Sequence, residues 1–258
     1  MKYIASAHNE QIKHLAKLLS QAKARRLHGQ AVLEGVHLVQ AYMQVGGMPE
    51  QLYLPESRAD NTELKALIAQ MPSEKNTVVG SSALAKITSL NDADDVMALI
   101  QLPSAPKLPQ QGDCVILDGV QDPGNVGTIL RSAAAAGVKT LVLGTNCADA
   151  WSPKVLRAGM GAHFLLDICT QADLLEWRAG FADKVYATTL GGKAESLYRL
   201  NLTEPAAWVF GSEGSGVSIA MQEQADRKVY IPMAGETESL NVAMAATVCL
   251  FEQMRQRI

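Results

Sequence analysis

The chain has no surplus of positive charge: 23 Lys and Arg stand against 26 Asp and Glu in 258 residues, a formal net charge of −3. A global cationic field of the kind that attracts nucleic acid without selectivity is excluded, so any site for a polyanion must be local. Cysteine is scarce. Its four copies, Cys114, Cys147, Cys169 and Cys249, lie far apart with no C-x-x-C pair, which leaves no disulfide framework or metal-ligand spacing and predicts buried free thiols. The opening MKYIASAHNEQIKHLAKLL has no uninterrupted apolar core; a secretory signal needs one, so a cytoplasmic, reducing location is expected. The longest mostly apolar stretch, Val242 to Phe251, is ten residues long and runs into Glu252 and Arg255. That is half of the ~20 residues a membrane-spanning helix requires, and no membrane partner is expected.

What remains is the composition of a soluble globular protein, 48% hydrophobic and 19% charged, long enough for one large or two ordinary domains. The best boundary is LPSAPKLPQQGD, where Pro103, Pro106 and Pro109 each remove a backbone donor and disfavour helix in the residue before them. Residues 1–103 and 113–258 are therefore read as two domains joined by a linker over 104–112. Upstream, AVLEG, QLYL, NTVVG and VMALIQL are strand-like; downstream, CVILDGV, TLVLG, HFLLDI, KVYATTL, AWVFGS and KVYIPM are. Helical patterns separate most of them, which predicts α/β folds with mainly parallel sheets in both halves.

The first thirty residues are locally basic, with Lys2, Lys13, Lys17, Lys23, Arg25 and Arg26 against Glu10 alone. Asn9 can cap a helix whose apolar stripe is Ile12, Leu15, Leu18 and Leu19. The cations then form either a solvated face or a phosphate-contacting surface, and composition leaves both open.

Three segments carry the chemistry. In LDGVQDPGNVGTILRSAAAAGV a strand ends near Asp118 and a tight loop leads into an amphipathic helix. Asn125 lies near the helix start and Arg131 six residues on, about 600° of helical turn later. They are either a cap and a surface cation, or two groups converging on a substrate beside the helix. In WVFGSEGSGVS an apolar strand opens into Gly211, Gly214 and Gly216 around Ser212, Glu213 and Ser215. Val217 follows the last glycine where a phosphate loop needs lysine, and the spacing is not G-x-G-x-x-G, so readings as a nucleotide-dependent oxidoreductase or phosphotransferase weaken. In VYIPMAGETESLNVAMAATVCLFEQM a strand ends at Pro232, Ser239 resembles an N-cap, and the helix beyond it is apolar nearly all round. Such a helix is buried on more than one side, which suits packing against a second subunit.

Together these segments resemble the SpoU, or TrmH, family of RNA ribose 2′-O-methyltransferases in the SPOUT superfamily. The first motif is matched by Asn125, Gly127, Arg131 and Gly137, the second by Gly211, Glu213, Gly214 and Gly216, and the third by Ile231, Pro232, Met233, Ser239, Leu240, Asn241 and Val242. SPKVLRAGMGAHFLL looks like the intervening P-K-x-x-R-A-x-x-G-A stretch, departing at Gly159, where many relatives carry serine. ASAHNEQIKHLAKLL and AVLEGVHLVQA resemble the ribosomal-protein-like α/β domain with which many members hold RNA.

The resemblance implies a carboxyl-terminal α/β domain with a deep trefoil knot, a smaller amino-terminal substrate-binding domain, and a homodimer with active sites near its interface. S-adenosyl-L-methionine is the implied cofactor, bent in the knot and held near Gly211, Ile231, Met233 and Leu240, with no metal. Arg131 is the implied catalytic group at the ribose and phosphate, with Asn125, Glu213, Ser239 and Asn241 orienting it and the substrate. A guanidinium is always charged at neutral pH, so Arg131 is expected to stabilise negative charge on the 2′ oxygen rather than take its proton. The implied partner is structured RNA, not DNA, and ribosomal RNA is favoured over transfer RNA because of the amino-terminal domain. A transfer-RNA methyltransferase and a non-catalytic RNA-binding assembly factor are the alternatives.

Overall fold

A computed structural model describes residues 2–58, 61–88, 95–191 and 193–258. They divide into two units, one made of Met1–Ser104 with Trp151–Phe164, the other of Ala105–Ala150 with Leu165–Ile258.

In the first unit, β1 (Lys2–Ile4), β2 (Gln30–Glu34), β3 (Gln51–Pro55), β4 (Asn76–Val79) and β5 (Met97–Gln101) form one sheet in the order β1-β4-β3-β5-β2. The helices are α1 (Glu10–Ser20), α2 (Ala22–His28), α3 (Val36–Gln44), α4 (Thr62–Ala69) and α5 (Ser81–Ala85). Asn9 caps α1 by accepting from the Gln11 amide at 2.9 Å, and Ile12, Leu15, Leu18 and Leu19 are its buried stripe, as the spacing predicts. Arg25 is buried in the next helix because its guanidinium donates to the Leu18 and Leu19 carbonyls, which the end of α1 leaves without partners. This sheet is mixed rather than mainly parallel. β1, β4 and β3 run parallel, but β5 is antiparallel to both β3 and β2. Alternating apolar runs reveal strands without revealing their direction.

The second unit is an all-parallel sheet of seven strands: β6 (Cys114–Asp118), β7 (Thr140–Gly144), β8 (Asp167–Ala172), β9 (Lys184–Thr188), β10 (Glu195–Ser196), β11 (Ala206–Gly211) and β12 (Arg227–Tyr230), in the order β10-β12-β9-β11-β6-β7-β8. Its central strands read as continuous apolar runs because both faces are covered, and β11 is buried at every residue. The helices here are α6 (Pro123–Ala135), α8 (Leu174–Ala179), α9 (Ile219–Gln224) and α10 (Val242–Arg255), while α7 (Pro153–Gly159) belongs to the first unit. HFLLDI is not one strand: Ala162–Leu165 is a 3-10 turn and β8 starts at Asp167. Its first residues are apolar for another reason. His163 lies 5.5 Å from the Trp151 ring and Phe164 lies 5.0 Å from Tyr42, all within the first unit. Just upstream, α7 supplies Arg157, 3.3 Å from the fully buried carboxylate of Glu34.

All four cysteines are free, with Cys147 half-buried and the others buried; loss of solvation pushes the Cys114 and Cys249 thiols well up. No helix among the described residues is long and apolar enough to cross a membrane.

The last helix is clasped at its carboxyl end. Asp113, just before β6, accepts from the Ala206 amide at 3.0 Å, from Gln253 at 2.7 Å and from both terminal nitrogens of Arg257. Gln253 in turn accepts from the indole of Trp208 in the middle of β11. Removing one partner of such a cluster leaves charge and amides unsatisfied, at about 2–3 kcal/mol. Asp113→Ala should lower unfolding stability by that amount in urea titrations followed by tryptophan fluorescence; a loss below about 0.5 kcal/mol, the scatter of ordinary surface changes, contradicts the assignment.

Candidate active site

Because the second sheet is parallel, β9, β11 and β12 all end on the same side, and ligands in such sheets sit beyond the carboxyl ends of the strands. A cleft of about 670 Å³ opens there. Its walls come from the exit of β9 (Thr188, Thr189, Leu190), the loop after β11, the segment after β12 and the first turn of α10.

The loop after β11 turns at once because Gly211 has no side chain; a β-carbon there would overlap the backbone of Gly216 and Val217. Ser212 and Gly216 bond each other's backbone at 3.1 and 2.9 Å, closing the loop on itself, and Gly216 takes φ +67°, a region glycine enters without strain. The Ser212 hydroxyl braces the interior, 2.8 Å from the Ser215 hydroxyl. Asp118, at the end of β6, holds the exit by accepting from the Ser218 amide at 2.8 Å. The loop thus presents backbone groups and the Glu213 side chain to the cleft.

Two helix starts complete the site, and both are capped by residues other than those the sequence suggests. α6 begins at Pro123 and is capped by Asp122, whose carboxylate accepts from the Asn125 amide at 2.8 Å. Asn125 is therefore not the cap, and its side chain is free for other partners. α10 is capped by Asn241, not Ser239: Asn241 Oδ1 accepts from the Ala243 and Met244 amides at 2.9 and 3.4 Å. With that oxygen committed, Asn241 Nδ2 donates to Asn125 Oδ1 at 3.0 Å, and Asn125 Nδ2 donates to Glu213 Oε1 at 2.5 Å. Three residues from three separate segments form one hydrogen-bonded chain.

Of the residues singled out from the sequence, Gly211, Glu213, Ile231, Met233, Ser239, Leu240 and Asn241 all line the cleft. Asn125 joins them through its two side-chain bonds. Arg131 stands apart: it is exposed on α6, is not among the lining residues, and has no hydrogen-bond or ion-pair partner among the described residues. Its neighbour Ser132 ties α6 to α10, 2.7 Å from the Thr247 hydroxyl. Thr188, Thr189 and Leu190 carry no motif, and only the strand-end rule for parallel sheets points to them.

Residues 113–251 match the SpoU rRNA Methylase family model, and residues 9–98 match the MRM3-like substrate binding domain model. The chain is 31% identical over 253 residues to the 23S rRNA (guanosine(2553)-2′-O)-methyltransferase RlmP of Bacillus subtilis, covering 97% of this chain and 98% of that one. Among solved structures it resembles the SpoU methyltransferase AviRb of Streptomyces viridochromogenes in complex with AdoMet, with TM-score 0.85 and 26% identity over 96% of this chain and 98% of that one. An AdoMet-bound rRNA methyltransferase of Sinorhizobium meliloti aligns with TM-score 0.83 and 28% identity, covering all of this chain and 98% of the other. Strand arrangement, cleft and sequence agree, and the chain belongs to the SpoU rRNA methylase family.

Proposed function

We propose that this protein transfers a methyl group from S-adenosylmethionine to the 2′-hydroxyl of a ribose in structured RNA, ribosomal RNA in preference to transfer RNA. The observation that carries the reading is the cleft beyond β9, β11 and β12, with the Asn241–Asn125–Glu213 chain at its side. The residues present fit the cofactor. A volume of about 670 Å³ suits a nucleoside-sized ligand, Ile231, Met233 and Leu240 supply apolar surface for a base, and the glycine-cleared loop at Gly211 offers backbone groups for polar atoms. When bound there, the cofactor supplies an electrophilic methyl carbon on a sulfonium. The protein's share is to hold one ribose in line with that carbon and to exclude water.

On this reading residues 1–103 hold RNA, 104–112 link, and 113–258 transfer the methyl group within a deep trefoil knot. Membership of a family whose relatives carry rRNA-modifying names supports the substrate, and the match to a substrate-binding model over 9–98 supports the amino-terminal role. The setting is the cytoplasm, with neither membrane nor DNA as partner. The working form is a homodimer. In one chain α10 leaves Met244 at 49% and Phe251 at 38% exposure, with Val248 half-buried between them, and the neighbouring α6 leaves Arg131 exposed. That apolar stripe is suited to a second copy, and a dimer built on it accounts for a cationic Arg131 outside the cleft of its own chain: it serves a site at the interface. There a permanently charged guanidinium clamps the phosphate beside the target ribose and stabilises charge growing on the 2′ oxygen. Ser239 and Asn241 position the sugar.

Arg131→Ala should reduce methyl transfer to ribosomal RNA by at least about 100-fold, the usual effect of deleting one charge-stabilising donor. S-adenosylmethionine affinity, measured by calorimetry, should change less than twofold; a parallel loss of cofactor binding would show that Arg131 shapes the cofactor site instead.

The exposed cations of the first thirty residues generate a second test. Lys17→Ala, Lys23→Ala and Arg26→Ala in the full chain should weaken RNA binding and lower its salt dependence by about one logarithmic unit of slope per lost phosphate contact. Unchanged RNA affinity would remove this face from the RNA-binding surface.

A further inference from the structure

Methyl transfer to an alcohol releases a proton, and the cleft restricts where it can go. Among the described residues that line it there is one carboxylate, Glu213, and no histidine, lysine, aspartate or cysteine; the other titratable side chain is the phenol of Tyr230. Arg131 is no acceptor, because a guanidinium keeps its proton at any pH at which the protein works.

The hydrogen bonds at Glu213 fix, from the backbone outward, which of its oxygens is engaged and in what sense. The Ala243 and Met244 amides can only donate, so the side-chain atom of Asn241 facing them is its oxygen. The Asn241 nitrogen is then turned to Asn125 and can only donate, which makes the receiving atom Asn125 Oδ1. The Asn125 nitrogen therefore faces Glu213 and donates to Oε1. No amide in this chain can be reversed without setting two donors or two acceptors against each other. Oε1 is thus an acceptor, engaged by a short bond from Asn125 Nδ2. Oε2 has no hydrogen-bond partner among the described residues.

From this geometry we infer that Glu213, through Oε2, is the proton acceptor for the hydroxyl that is methylated. The inference rests on the proposed methyl transfer and names the group that completes it. As the 2′ oxygen bonds to the methyl carbon, the carbon–sulfur bond breaks with its electron pair left on sulfur. The hydroxyl proton passes to Glu213, which sheds it to water after product release. Asn125 and Asn241 are positioning residues in this scheme: they hold one carboxylate oxygen so that the other points at substrate.

The test separates acceptance of a proton from orientation. Glu213→Gln keeps a carbonyl oxygen to receive the Asn125 bond but cannot take a proton, whereas Glu213→Asp keeps the carboxylate on a shorter stem. With unmodified ribosomal RNA transcripts and radiolabelled S-adenosylmethionine, Glu213→Gln should lower kcat at least about 100-fold, the usual range for a lost general base. Its cofactor affinity and melting temperature should match the parent, and Glu213→Asp should restore part of the rate. If Glu213→Gln keeps kcat within threefold of the parent, Glu213 only orients and the inference falls while the methyltransferase reading stands. If Glu213→Gln loses cofactor binding as well as rate, Glu213 builds the cofactor site and the inference also falls. If the parent chain itself neither binds S-adenosylmethionine nor labels any RNA, the underlying reading fails and takes this one with it.

Discussion

Two backbone amides at the first turn of α10 determine the polarity of the side of the cleft. A helix start leaves amide hydrogens without partners, and here Asn241 answers them with its only side-chain acceptor. Everything further out follows from that commitment, since each asparagine passes on the opposite sense to the one it receives. The consequence is geometric. The Glu213 carboxylate, which accepts a donated bond at 2.5 Å, is oriented, among the described residues, by that bond alone. Asp122 performs the same service for α6, which frees Asn125 from capping and allows it to serve as the middle link.

A fixed polar chain is useful only if its three segments are held in register, and the parallel sheet does this. β11 is buried along its whole length, with Trp208 and Phe210 fully inaccessible, and each such side chain contributes roughly 1.5–3 kcal/mol of burial. The loop that follows cannot drift from a strand so firmly seated, and the tight approach of Gly211 to Gly216 and Val217 leaves it no slack. At the far end of α10, Asp113, Gln253 and Arg257 tie the helix back to β6 and β11. The helix whose first turn sets the site is thus clasped to the same sheet that carries the glutamate.

Much of this could be read from the residues, and the misses have physical causes. Strong periodicity revealed α1, with its cap and stripe, and the apolar runs revealed most of the strands. Strand direction is a tertiary property, and so the antiparallel course of β5 did not show in its composition. The cap of α6 is Asp122, which leaves Asn125 in the second of its two sequence readings, and the cap of α10 is Asn241 rather than Ser239; the signals are present, since Pro123 at the first helical position points to Asp122 and the apolar run starting at Val242 points to Asn241. HFLLDI reads as strand, yet its first two residues, His163 and Phe164, belong to an aromatic cluster within the first unit. The motif residues between Gly211 and Val242, Pro232 apart, line one cleft and Asn125 is tied to it by hydrogen bonds, but Arg131 does neither. A helical offset of six residues already turns it well away from Asn125.

The account is tested most directly by mapping ribose 2′-O-methyl groups across all ribosomal and transfer RNA in cells with and without this gene. It predicts that one modified position in ribosomal RNA disappears when the gene is deleted and returns when the intact chain is supplied. Identical maps from both strains, or a lost mark confined to transfer RNA, would contradict it.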